Sequence, residues 1–231
     1  MKKTSLFAVL LFSFLSINAA LAPGLKWEEV YSFDRNNAFK MDMFAKNNEL
    51  MRTSMFRTYY QTTGENFVTK YITDKKGMGG ETVIDKKNEL AIQIFGEGGG
   101  AKPMYNAGGY KYPEADDMNK LEIVATAETK QIAGVLCKKY TYTFKKIFGE
   151  VWITDQIKLP NDLGVFRACK MAALHNTLSV QGFVMEMTTE DLGGGRTLMT
   201  TLSLQNIEKY EVDLRGVEMN KALNKVNYYS F

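Results

Sequence analysis

The stretch from Gln131 to Phe166 limits what this chain can fold into more than any other. From Leu136 to Phe144 the residues alternate at the two-residue period of a strand. Leu136, Lys138, Tyr140, Tyr142 and Phe144 fall on one side, and Cys137, Lys139, Thr141 and Thr143 on the other. The aromatic and β-branched content favours a strand over a helix. Ile147 to Gly149 is a short, glycine-ended connection, so Val151 to Ile157 should return antiparallel. Pro160 with Asn161 and Asp162 stops strand pairing and supplies a helix cap. An antiparallel, mainly β architecture is the expectation from this region alone.

The words Gly134-Val135-Leu136-Cys137-Lys138-Lys139-Tyr140 and Val151-Trp152-Ile153-Thr154-Asp155 resemble a signature of exported bacterial proteins. In that domain-of-unknown-function family an "IxGxxCxKY" strand precedes a "WxTD" strand. The resemblance runs roughly from Tyr31 to Val212, and about 25 residues carry it. It implies a curved antiparallel sheet with helices on its concave side, similar to the lipoprotein-carrier (Lol-type) half-barrels. It brings no activity and no catalytic residue. The fold expected here is therefore mainly β (α+β), a curved antiparallel sheet or half-barrel with a helix packed on the concave side.

The N-terminus reads as a secretory leader. Lys2 and Lys3 form its positive end, Leu6 to Ile17 its apolar core, and residues 18–22 a small-residue cleavage zone. A cut after Ala20 avoids placing Pro23 at the scissile bond, giving a leader of 1–20 and one β-rich domain of 21–231. The apolar run is about 12 residues long, short of the roughly 20 needed to span a bilayer. No cysteine stands at the cleavage zone to take a lipid anchor. The expected address is periplasmic or secreted, with no transmembrane segment in the mature chain. The formal charge falls from +3 to +1 once Lys2 and Lys3 leave, which supports neither nucleic-acid binding nor a strongly basic membrane-binding face.

Along the chain, Lys26 to Phe33 reads as a strand entering an Asp34-Arg35-Asn36-Asn37 turn, with further strands at 39–44, 49–61, 67–73, 81–85 and 89–95. Residues 96–117 combine six glycines in a short span with prolines and acidic residues, and read as a long loop. Gly96 to Gly100 lacks the Gly-Lys-Ser/Thr ending of a phosphate-binding loop. Strands follow at 121–127, 183–188, 197–204 and 207–212, and the tail from Arg215 has no assignable element. Leu163 to Leu178 is alanine-rich and proline-free, and fits a helix.

The lone histidine, His175, reads as a surface or capping residue, and no Gly-x-Ser-x-Gly, His-Glu-x-x-His or Cys-x-x-Cys pattern occurs. An enzyme is disfavoured, and no metal or cofactor is expected. Asp155 with Asp74 or Asp85 is the one carboxylate dyad to consider, against the blander reading of strand-end aspartates. Export makes a Cys137–Cys169 disulfide plausible, and two buried thiols are the alternative.

Methionines recur in the strands, either as adaptable lining or as ordinary core. A 16-residue helix is about 24 Å long and covers only part of a sheet of eight or more strands, about 38 Å wide. Met41, Met43, Phe183, Met185, Met187, Leu198 and Leu202 are accordingly expected to line an apolar pocket beside the helix, with the 96–117 loop as its edge. The function expected is non-enzymatic binding of a hydrophobic small molecule or lipid, such as a lipoprotein acyl chain. The alternative is an envelope protein–protein interaction module with a filled core.

Overall fold

A computed structural model describes residues 25–64, 66–72, 80–96, 102–111, 121–157, 180, 182–219, 221–222 and 226–227. Thirteen strands occur there: β1 (Val30–Phe44), β2 (Leu50–Tyr60), β3 (Phe67–Ile72), β4 (Gly80–Asp85), β5 (Leu90–Phe95), β6 (Met104–Lys111) and β7 (Leu121–Ile132). β8 (Val135–Phe144), β9 (Ile147–Thr154), β10 (Phe183–Asp191), β11 (Arg196–Asp213), β12 (Lys221–Ala222) and β13 (Val226–Asn227) complete them. The sheet order is β12-β6-β5-β4-β3-β2-β1-β11-β10-β9-β8-β7, with β13 also on β6. β1 to β11 pair antiparallel throughout, and β12 and β13 lie parallel to β6.

The α+β expectation with a helix on the concave side is corrected. Every regular element among the described residues is a strand, and the sheet is open, with β7 at one edge. The expected helix at 163–178, with Cys169 and His175, lies outside the described residues, as do residues 1–24. The physical reason is that the sheet supplies much of its own second layer. β11 and β4 are four positions apart, about 19 Å in a flat sheet, yet Tyr210 Oη donates to Glu81 Oε2 at 2.5 Å. Tyr59 of β2 stacks on Tyr210 of β11 with ring centroids 3.8 Å apart. Only a strongly coiled sheet permits these contacts.

Adjacent strand residues point to opposite faces, and Tyr59 and Tyr60 are both buried in different clusters, so both faces are covered at this end of β2. The Tyr59 cluster also holds Tyr31, Phe33, Val68, Val83 and Ile92. Its border is pinned by Asp85, fully buried. That carboxylate accepts from Tyr31 Oη at 2.8 Å, from Asn88 N at 3.0 Å and from Asn88 Nδ2 at 2.7 Å.

Several boundaries differ from the sequence reading. Residues 34–37, expected as a turn, run inside β1. A register shift against β11 between Phe33 and Arg35 absorbs the irregularity, and β11 continues unbroken past its own expected break. β6 occupies part of the expected loop: its small residues let Ala107 pack against the Ile92 cluster while the backbone pairs with β5. The β8–β9 connection is Lys145-Lys146, earlier than expected, and Gly149 is a strand residue. A Cβ there would lie 2.0 Å from the Thr188 carbonyl oxygen, so only glycine lets β10 approach so closely. The Ala133-Gly134 turn has φ of 48° and 79°, the two positive values of a type I′ hairpin.

Candidate functional site

The site is a face of the sheet built in three rows. Directly paired residues on neighbouring strands share a face, so the register defines each row. The middle row is polar: Asn37 pairs with Thr58, Thr58 with Thr69, Thr69 with Thr82, Thr82 with Gln93, and Gln93 with Asn106. It crosses β1 to β6 with no charged side chain. One flank is apolar, running Tyr60, Phe67, Ile84, Ala91. The other is aromatic: Phe39 stacks on Phe56 at 5.2 Å, and Phe56 tilts against Tyr71 at 5.4 Å.

The polar row is buried from Asn37 to Thr82, and Asn37 and Thr58 are fully so. Thr58 and Thr69 satisfy one another through a 3.1 Å hydroxyl contact. Asn37 does not have this relief. Neither atom of its side-chain amide has a hydrogen-bond partner among the described residues. Thr201 Oγ1, buried opposite Phe39 on β11, is also unbonded. A buried, unsatisfied polar group costs about 1–3 kcal/mol, and native structures seldom leave one without a reason. The arrangement leaves a donor and an acceptor on Asn37 and a hydroxyl on Thr201 without partners among the described residues, between two apolar rows.

The residues expected to line a pocket fall into distinct places. Phe183 and Met185 pack with Tyr60, Phe67, Ile84 and Ala91, and Phe183 meets the Tyr60 ring edge-on at 5.9 Å. Met187 and Met41 pack beside Phe39 and Phe56, together with Met199, which the reading of the sequence had not chosen. Four of the expected residues thus lie against the two flanking rows. Met43 and Leu202 are 40% and 45% exposed, and Leu198 is half-buried, so these three do not join them. Asn37, Thr58, Thr69 and Thr201 were missed. The signal available was a threonine flanked at two-residue spacing by aromatics, Phe56-Thr58-Tyr60 and Phe67-Thr69-Tyr71, but without the register it reads as surface.

The described residues also hold an open depression of about 300 Å³, lined by Ser32, Phe33, Asp34, Gln61, Thr63, Glu208 and Lys209. It is polar and contains none of the expected apolar lining.

The motif residues are tied to their neighbours by cation–π contacts and ion pairs. Trp152 carries Lys130 Nζ over its ring at 4.2 Å and Lys139 Nζ at 5.8 Å. Each ammonium is neutralised: Lys130 by Glu186 at 2.5 Å, Lys139 by Glu150 at 2.7 Å and Glu128 at 3.0 Å. The carboxylates of Glu150 and Glu128 push the Lys139 pKa above its ordinary value. Cys137 is a fully buried free thiol, 3.4 Å from the Val135 carbonyl oxygen, so the structure gives the expected bridge to Cys169 no support. Burial pushes that thiol up to about 11, against a partial opposing pull from Lys130. Asp155 is exposed and faces Lys138 at 3.5 Å, while Asp85 is held by Tyr31 and Asn88. No dyad joins those two, and Asp74 lies outside the described residues. No group of three or more His, Cys, Asp or Glu side chains able to hold a metal occurs among the described residues.

No protein-family model matches this chain, and no curated protein matches it. Solved structures give partial likenesses. PNGF-II in a C2 crystal form is 14% identical with a TM-score of 0.45, over 81% of this chain and 31% of that one. The complex of Pseudomonas aeruginosa MucA/MucB is 7% identical with a TM-score of 0.41, over 74% and 51%. A DUF1329 family protein from Desulfovibrio piger is 12% identical with a TM-score of 0.24, over 77% and 87%. The chain thus spans about a third of the PNGF-II chain and half of the MucA/MucB one. At these TM-scores none of the likenesses carries an argument about fold or function.

Proposed function

We propose that this is an exported, non-catalytic protein that binds an elongated, mostly apolar ligand bearing one neutral polar group. An acyl chain joined through an ester or amide, as in a lipid or the acylated end of a lipoprotein, has that chemistry. The observation that carries the reading is Asn37, fully buried with both amide atoms unbonded among the described residues, between an aromatic row and an apolar row. A ligand carbonyl would accept from Asn37 Nδ2, and a ligand N–H or hydroxyl would donate to Oδ1. The flanking Phe39, Phe56, Tyr60 and Phe67 would hold its hydrocarbon. The uncharged row disfavours a bare carboxylate or phosphate, which would be buried without a counter-charge. Export rests on the leader-like residues 1–20, and the non-catalytic reading on the missing acid–base and nucleophile motifs.

The second reading, an envelope interaction module with a filled core, draws on Met185, Met187 and Met199, all fully buried. Titration with a fluorescent acyl ester separates the two. The binding reading expects saturable uptake near one probe per chain, competed by a non-fluorescent acyl amide more strongly than by the free acid. No saturable uptake in delipidated protein favours the filled core.

A further inference from the structure

We propose that the edge formed by three neighbouring hairpin tips docks onto the surface of a bilayer containing anionic phospholipid. The tips are the β1–β2 turn at 45–49, the β10–β11 turn at 192–195 and the β8–β9 turn at 145–146. Phe44 pairs with both Leu50 and Arg196, Arg196 with Glu190, and Glu190 with Phe148, so these positions form one line across the sheet. Lys46 packs on Gly194, where an added Cβ would lie 2.8 Å from its Cγ, so two of the turns touch. Along this line Met51 and Leu192 are each 72% exposed, Leu50 is 54% exposed, and Met43 and Phe148 are 40% exposed. Bulky apolar side chains so exposed, gathered on one edge, mark an interaction surface.

The charge around them selects the occupant. Lys46, Arg52, Lys145, Lys146 and Arg196 stand among the tips, against Glu49 and Glu190 among the described side chains. Glu49 is partly engaged by Asn47, and Arg196 lies over the Phe44 ring at 4.4 Å. The near-balance of the whole chain conceals this local excess. Six strands in a row, from β2 to β8, give an edge about 24 Å wide. Protruding apolar tips ringed by cations suit a planar anionic surface, where the apolar groups enter the headgroup boundary and the ammonium groups stay at the phosphates. This docking edge does not rest on the inner-face ligand site.

The test is co-sedimentation of the full mature chain with vesicles of phosphatidylglycerol and phosphatidylcholine, or of phosphatidylcholine alone. At 0.1 M salt the anionic vesicles should bind at least tenfold more tightly, and the difference should shrink at 0.5 M salt. Met51→Ser with Leu192→Ser should weaken binding to anionic vesicles at least tenfold. Lys145→Glu with Lys146→Glu should weaken it similarly, and the urea midpoints of both double variants check that the fold is kept, since Lys145 Nζ also lies over the Phe144 ring at 5.2 Å. Asn37→Leu should bind vesicles as the wild type does. Wild-type protein that stays in the supernatant overturns the proposal. So do both double variants binding normally. A dimer in sedimentation velocity that the Met51/Leu192 variant abolishes, with no vesicle binding, overturns it in favour of self-association.

Discussion

Replacing Asn37 by leucine should make the ligand-free protein more stable and a poorer binder. The side chain is fully buried and neither amide atom is bonded among the described residues, so the folded state carries the desolvation penalty without the return. Leucine has nearly the same size and no polar atom, and removing the penalty recovers about 1–3 kcal/mol. Any misfit from the changed shape should cost less than about 1.5 kcal/mol. For a chain of this size each kcal/mol is about 2–4 °C in Tm. The assay is urea unfolding of protein delipidated and refolded, where the midpoint should rise with the m value unchanged. With ligand at a hundred times its Kd the wild type should gain about 2.7 kcal/mol by mass action, and the variant should gain far less. A variant destabilised by more than about 1 kcal/mol without ligand would refute the reasoning, because Asn37 would then be satisfied inside the fold.

Three further outcomes follow from the structure. Tyr31→Phe removes the hydroxyl donor at 2.8 Å from buried Asp85; a loss of about 1.5–3 kcal/mol is expected, and a urea shift below 0.5 kcal/mol would contradict the lock described for β1 and β4. Cys137, pushed up to about 11 by burial, should alkylate at pH 8 at least about a hundredfold more slowly in the native protein than in the unfolded chain; a bridged residue would resist labelling in denatured, unreduced protein as well. Burial raises the Asp42 carboxyl, but Lys40 at 2.7 Å and Thr53 at 2.6 Å outweigh it and hold its pKa below the usual carboxylate range. A depressed folded pKa gives stability that is fully present above about pH 4 and lost as the pH falls through the folded value, so the gap between wild type and Asp42→Asn should narrow from pH 5 to pH 2 and not stay constant.

The strand content was legible because cross-strand alternation is written locally. The 136–144 pattern became β8, and the asparagine turn at 46–48 became the β1–β2 connection, with Asn48 at φ 63°. What was not legible depends on register. Asp34-Arg35-Asn36-Asn37 has turn composition, yet it is strand because β2 and β11 pair on both sides of it. The polar row has the same origin: Thr58 and Thr69 are 11 residues apart, and only pairing places them in contact. The helix-cover expectation failed because the sheet coils onto itself, as the Tyr59–Tyr210 stack shows, and coiling of that degree has no local sequence signal. Four of the apolar residues expected at a pocket pack against the two flanking rows, since burial is encoded by alternation. Their polar complement was hidden because threonine and asparagine are ordinary on a surface.

The most direct measurement is the mass of what comes off the protein. Mature protein purified from its host without detergent is extracted with organic solvent and analysed by mass spectrometry, beside Asn37→Leu prepared identically. The account predicts an acyl species bearing an ester or amide, close to one per chain on the wild type and reduced at least severalfold on the variant. Wild-type protein that carries no such species, or a variant that carries as much, contradicts it.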